Sequence, residues 1–506
     1  MNASSEKKRR EEARLAKLEK KAALQREAEE KAKKSRLKWR LTMAGIAVFV
    51  ILCLVLNSAL PYRMNAVKVG ETDYSAAEMN YYYYNAYYQY AEYMNMFGVD
   101  FNQPLENQDC VLTEEGSWKD FLMENALNNV KSMEAIYAEA MAEGYELSEA
   151  GKEEVEHEME HLPEYAANNG YSDVNKYLEA GYGKGANEDM IRKLMTKIIL
   201  VGEYAEMKQA SFSYTESEVE AYFNNNLDSF REYDVHYYFV AAQTEEVTDA
   251  EGNTTNEVVE GGTEVALAAA TEIAAKVTDE ASFDAAVAEY AEGAVVSHTH
   301  GSLKGNLNTA YSAWATDAAR VAGDVETFET ETGAYVVLFV GYDDHLYPST
   351  AMRHILVKSV DEDGDGAWSE DEMEGAKAKI AEIEAEWLAG DKTEAGFAEL
   401  ANKYSEDAGS NTNGGLYEKI GKGDMVAEIN DFLFAAGRKT GDTAVLHGNN
   451  GTYDGYHLVY FVGEGMPYGL AKAETQMVNE AYTAWETALV EGITVEYGMA
   501  DNLIGK

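Results

Sequence analysis

The chain has 506 residues, too many for one hydrophobic core and enough for three or four domains. It carries 42 Lys+Arg against 90 Asp+Glu, a formal charge of −48. Residues 1–40 hold 15 basic and 7 acidic side chains, so everything after them sums to −56. Such an acidic body argues against nucleic acid as a partner, and the two cysteines, Cys53 and Cys110, rule out a disulfide scaffold and a four-thiolate zinc site. A 46% hydrophobic content and only five prolines argue for globular domains without long Pro-rich linkers.

Residues 1–40 form a basic segment expected in the cytosol. Within it, 5–35 lack Gly and Pro and read as a solvated helix, either a topology determinant or a contact for anionic lipid. Residues 42–60 carry no charge, and a length of about 19 residues crosses roughly 30 Å of hydrocarbon, so 41–61 is expected to be a transmembrane helix. The Lys/Arg excess before it predicts a single pass of the cytoplasmic membrane, with the N-terminus inside and the C-terminal body outside. A cleaved signal peptide is the competing reading, but the charged leader is long and Asn57-Ser58-Ala59 is a weak cleavage site. Cys53 follows Leu52 and reads as an apolar residue of the span.

Residues 65–230 have a helical pattern. Ser75-Ala-Ala-Glu78 and Thr215-Glu-Ser-Glu218 are capping boxes, and helices are expected at about 118–144, 148–168, 172–180, 187–210 and 216–225. The first helix carries a tyrosine run from Tyr81 to Tyr93. Consecutive tyrosines point all round a helix, so they serve either packing between several helices or a surface for extended apolar chains.

The chain then repeats itself. Tyr233–Val240 resembles Ala351–Val357, Ala281-Ser-Phe283 resembles Ala395-Gly-Phe397, and Gly333–Gly341 resembles Gly455–Gly463, at offsets drifting between 114 and 122. Each copy reads as a strand, two helices and a terminal strand. The copies span 231–345 and 349–465, and 468–506 adds a helix and a short strand expected to dock on the helical region.

Arg353-His354-Ile-Leu-Val357, Phe397-Ala-Glu-Leu-Ala401, Tyr404-Ser-Glu-Asp407, Gly414-Gly-Leu416, Gly423-Asp-Met425, Phe432-Leu-Phe434 and Gly455-Tyr-His457 together make the second copy resemble a parvulin-type peptidyl-prolyl isomerase. The body from 65 to 506 is similar to SurA/PrsA-type extracytoplasmic foldases. That resemblance implies an α+β fold: a helical chaperone module built from both chain ends, with two tandem parvulin-like domains, each an antiparallel sheet flanked by helices. It implies catalytic roles for His354, Asp407 and His457, and a proline pocket of Met425 and Phe434 with Leu416 as wall. Ile429 stands where the family often has an aromatic, and Leu416 lies one residue nearer the Gly-Gly turn than the family's leucine. Asp454 and Thr452 fall where hydroxyl residues often join the polar network. The first copy keeps His236 but has Tyr335 and Gly293 at the other two positions, so it is expected to be inactive.

Rotation about an X-Pro bond breaks no covalent bond, so no cofactor is required. The loop after the first strand of the second copy is acidic, which argues against phosphate recognition. Asp361-Glu-Asp363-Gly-Asp365-Gly-Ala367-Trp-Ser369-Glu-Asp-Glu372 fits the D-x-D-x-D-G-x5-E pattern of a calcium loop. It is either a Ca2+ site or a solvated turn. The expected function is isomerisation and chaperoning of unfolded or newly exported polypeptides. The alternative is a holdase that binds chains without catalysis.

Overall fold

The computed structural model describes residues 58–248, 254–364 and 366–506, with a few isolated positions between 38 and 48. The basic segment and the expected transmembrane span at 41–61 therefore lie largely outside the described residues. Among the described residues, no helix is long and apolar enough to cross a membrane.

The chain divides into two compact units, one formed by residues up to Phe212 with Ala481–Lys506, the other by Ser213–Glu480. In the first, β1 (Asn65–Val69) and β2 (Thr72–Ser75) make a hairpin, and the C-terminal strand Val495–Tyr497 pairs with the open edge of β1. Helices α1 (Ala76–Met96), α2 (Trp118–Glu143), α3 (Glu149–Asn168), α4 (Val174–Tyr182) and α5 (Glu188–Ser211) follow. The Ser75/Glu78 box caps α1, and a Ser117/Asp120 box caps α2, each satisfying backbone donors that a helix start leaves open. Met79, Leu122, Val130, Leu194 and Tyr204 lie in the common core. Within the tyrosine run, Tyr82 and Tyr83 are buried while Tyr88 and Tyr93 are exposed, so one helix serves both packing and surface.

In the second unit, α6 (Glu216–Asn225) packs Val219 and Phe223 against Phe230, Leu470 and Ala473. Residues 213–230, read from sequence as the end of the helical region, thus belong to this unit. The first repeat contains β3 (Glu232–Ala241), a hairpin of β4 (Thr244–Thr248) and β5 (Thr254–Val258), α7 (Gly262–Ala274), α8 (Glu280–Tyr290), β6 (Ser297–Leu303), α9 (Ser312–Ala315), β7 (Val325–Thr330) and β8 (Gly333–Asp343). The second contains β9 (Pro348–Lys358), α10 (Glu370–Ala389), α11 (Glu394–Tyr404), β10 (Leu416–Ile420), α12 (Ala427–Leu433), β11 (Thr443–Asn449) and β12 (Asp454–Pro467). The sheets run β6-β3-β8-β7 and β10-β9-β12-β11, the same antiparallel order twice.

Register corrects one sequence-based equivalence. In the second sheet His354 lies opposite Val459, and His457 opposite Leu356. In the first, Tyr237 lies opposite Val337 and Phe239 opposite Tyr335. Tyr237 and Tyr335 therefore occupy the places of the two histidines. His236 lies one residue away, opposite Leu338, on the face covered by α7 and α8. A one-residue step along a strand reverses the face of the sheet.

Candidate active site

β9 and β12 are neighbouring central strands, and His354 and His457 point to the face away from α10 and α11. The rings are nearly parallel, 12° apart, with centroids at 5.4 Å and Nδ1 to Nδ1 at 3.2 Å. His354 Nε2 lies 2.8 Å from Asp407 Oδ2. The structure thus brings all three expected polar residues together. Asp407 sits in the turn after α11, where Ser410 and Tyr417 hydroxyls also donate to Oδ2. Tyr453 completes the other end, its hydroxyl 3.2 Å from His457 Nε2.

One proton arrangement satisfies every atom of this chain. Tyr453 donates to His457 Nε2, His457 Nδ1–H donates to His354 Nδ1, and His354 Nε2–H donates to Asp407. The electrostatics agree with it. The hydrogen bond from His354, followed by those from Ser410 and Tyr417, holds the Asp407 carboxyl well below the usual range despite its burial. Burial, reinforced by the neighbouring His354, pushes His457 down to about 4. At neutral pH the site therefore holds an anionic Asp407 and a neutral His457. Burial pushes both phenols up, so Tyr417 and Tyr453 remain proton donors.

Two glycines make the geometry possible. Gly415 has φ +71° and passes so close to β9 that a Cβ would lie 2.2 Å from the His354 carbonyl oxygen. This lets His354 N–H bond the Gly415 carbonyl at 2.9 Å. Gly448 on β11 leaves room beside His457, where a Cβ would lie 2.8 Å from Nε2 and 3.3 Å from Val426 Cγ2. Through that gap the polar network adjoins the apolar side chains.

Those side chains differ in part from the expected pocket. Met425 and Phe434 are partly buried and lean on a core of Met352, Ile420, Phe432, Val459 and Phe461. Ile429 is 2% exposed and belongs to that core, beneath any surface a ligand could reach. Leu416 pairs with Arg353 and shares its face, which looks toward α11, where Arg353 bonds Glu394. Tyr417, opposite Met352, faces the site instead. Alternation along β10 is the reason, since the family's leucine position falls one residue later, on Tyr417. Thr452 bonds Asn450 in its own exposed turn. Asp454 is buried in a separate set with Ser359, His447 and Asn449. Neither touches the histidine pair; Tyr453, between them in sequence, does. Tyr417, Ser410 and Tyr453 were missed because hydroxyls carry no spacing signal of their own.

In the acidic loop, Asp361, Asp363 and Glu372 each place a carboxylate oxygen within 4.8 Å of the others. Asp361 accepts from Gly364 and Gly366 N–H, while Glu372 accepts from Glu362 N–H and Ser369. Ser369 is the N-cap of α10. Asp365 lies outside the described residues.

Comparison with known proteins agrees with the second repeat. Residues 343–461 match the family described as the PPIC-type PPIASE domain. The second repeat is a parvulin-type domain. Two curated relatives are each named foldase protein PrsA 1. The one from Listeria innocua is 34% identical over 135 residues, covering 27% of this chain and 37% of its own length. The one from Listeria monocytogenes is 32% identical over 146 residues, covering 27% and 41%. The chain thus spans about two fifths of the length of these relatives. Among solved structures, PrsA from Bacillus cereus is 17% identical over 79% of this chain and all of its own, with a TM-score of 0.17. A structure from work on SurA-like chaperones of Campylobacter jejuni is 14% identical over 82% and 94%, with a TM-score of 0.17.

Proposed function

We propose that the chain is a peptidyl-prolyl cis-trans isomerase and chaperone, acting on unfolded polypeptides that contain X-Pro bonds. The observation that carries this reading is the closed Asp407–His354–His457–Tyr453 chain beside the Met425 and Phe434 side chains. Uncatalysed rotation faces about 18–20 kcal/mol because the amide loses resonance as it twists. The resonance form being lost is the more polar one, so a site drier than water favours the twisted state. Met425 and Phe434 offer apolar surface to a proline ring. The hydroxyl and imidazole groups beside them are already oriented and need no reorganisation as the amide turns. No nucleophile, metal or cofactor enters.

The test is cis/trans exchange on a set of short X-Pro peptides, using the full chain and its His457→Gln variant. Acceleration lost in the variant supports the reading. No acceleration on any peptide, with the chain folded and still binding unfolded protein, overturns it. That result would favour the holdase, a reading that draws on the first repeat, where Tyr237 and Tyr335 stand at the histidine positions. In the first unit, a cleft of about 400 Å3 lined by Tyr81, Tyr82, Met133, Ile136 and Ile198 suits apolar segments of such clients.

The resemblance to SurA/PrsA-type foldases and the charge-free run at 42–60 support an extracytoplasmic body anchored by one N-terminal span. Labelling of the 350–500 region in intact cells would test it. For the acidic loop, we propose Ca2+ held by Asp361, Asp363, Asp365, Ser369 and Glu372 side chains with the Ala367 carbonyl. The converging carboxylates of Asp361, Asp363 and Glu372 support it. Millimolar Ca2+ should slow hydrogen exchange across 361–375 in the wild type but not in Asp361→Asn. No slowing in the wild type would leave the loop a solvated turn.

A further inference from the structure

The first repeat carries a cluster that the isomerase reading does not use. His236 on β3 lies directly opposite His298 on β6, and His300 follows two residues on, so all three rings share the face toward α8. One nitrogen from each lies within 4.8 Å of the other two. His298 Nδ1 and His236 Nε2 are 3.0 Å apart. His236 forms the floor, with 0% exposure, whereas His298 and His300 are open to solvent. Three carboxylates stand at the rim: Glu280 3.9 Å from His236 Nε2, Asp284 3.9 Å from His298 Nε2, and Asp234 3.7 Å from His300 Nδ1.

One comparison argues against ordinary packing: the second repeat shows what this position looks like as a plain structural contact. Arg353 stands at the register place of His236, and Glu394, the counterpart of Glu280, bonds it at 2.9 Å. The first repeat has replaced that ion pair with three imidazoles.

We propose that His236, His298 and His300 form a binding site for a divalent transition-metal ion of the zinc class, with Glu280 or solvent as the fourth ligand. Imidazole and carboxylate without thiolate select such an ion over Ca2+ or Mg2+, which prefer all-oxygen sites. Zn–N bonds of about 2.0–2.1 Å place tetrahedral ligand nitrogens about 3.3–3.4 Å apart. The His236–His298 pair needs only a few tenths of an ångström of opening to reach that spacing. In the metal-free arrangement one of these nitrogens donates a proton to the other, and the ion takes the place of that proton. Asp234 also accepts from Gly301 N–H at 2.8 Å, which steadies it as an orienting partner for His300.

The test is calorimetric titration of the full chain, in detergent and without a polyhistidine tag, with Zn2+. The comparison is the His298→Ala/His300→Ala double variant. Both residues are exposed, so their removal leaves the fold intact, and the His157 and His161 pair on α3 of the first unit remains in both proteins. The expected result is one tight equivalent of Zn2+ in the wild type that is lost in the variant. Co2+ should give visible ligand-field absorption in the wild type alone. Equal stoichiometry and affinity in both proteins, or no tight binding by the wild type, would overturn the proposal.

Discussion

Replacing Asp407 by Asn tests whether the carboxylate holds the histidine pair in one proton arrangement. Its Oδ2 accepts three hydrogen bonds, from His354, Ser410 and Tyr417. Bonds to a charged acceptor contribute about 1.5–3 kcal/mol and neutral ones about 1, so the neutral amide gives up roughly 1 kcal/mol for each. The side chain is 21% exposed, which screens part of the loss. The expected net cost is about 2 kcal/mol, or roughly a 30-fold faster local opening. Hydrogen exchange read by mass spectrometry should show this acceleration in β9 and β10, with β3 and β8 unchanged. The amide can also turn its NH2 toward His354 Nε2, which reverses the donor direction through to Tyr453. Isomerisation should then fall about 10- to 100-fold. Unchanged protection together with an unchanged rate would refute the reasoning.

The same site predicts an acid limit. The folded-state pKa of His457 lies at about 4, below its ordinary 6.5. The opened state therefore takes up a proton that the folded state refuses, and protection of β9 and β12 should decline as pH falls from about 6.5 toward 4. The ceiling is about 3 kcal/mol. Asp407, also depressed, adds a further loss at lower pH, below its ordinary carboxyl range. Protection flat across pH 4–6.5, read by exchange corrected for its intrinsic rate, would contradict this. Gly448→Ala places a methyl group 2.8 Å from His457 Nε2. It should cost about 1–3 kcal/mol in exchange protection of β11 and β12, and at least tenfold in isomerisation.

The sequence carried the pattern of the site better than its faces. The offsets between repeats revealed the duplication, and the motifs placed His354, Asp407 and His457 together, because they lie on or beside central strands written as near-continuous apolar runs. The short strands were not legible: β6 reads Ser-His-Thr-His-Gly-Ser-Leu, with no apolar alternation to announce it. Leu416 and His236 were each assigned to the wrong face for one reason. Motif matching aligns letters: it set His236 on His354 although the register places Tyr237 there, and it took Leu416 although the family's leucine falls one residue later, and a one-residue step reverses the face of a strand. The hydroxyls that complete the network come together only in the folded chain.

The one-residue difference in register has a functional consequence that can be measured. If activity requires an imidazole–carboxylate chain on the pocket face, the first repeat cannot supply it. Tyr237 and Tyr335 meet there at 5.9 Å between centroids, beside Tyr311, and Gly293 stands at the aspartate position with φ +79°. Both sheets nevertheless keep the same strand order, because the helix-facing cores, built around Phe283 in one and Phe397 in the other, do not depend on the site. The fold can therefore outlive the chemistry. All isomerisation by the chain should then reside in the second repeat. His354→Asn in the full chain, with exchange protection of β9 retained, should lower the rate on X-Pro peptides at least about tenfold, in line with loss of one preorganised polar group. If more than half of the activity survived in a folded variant, the requirement for the histidine pair would fall.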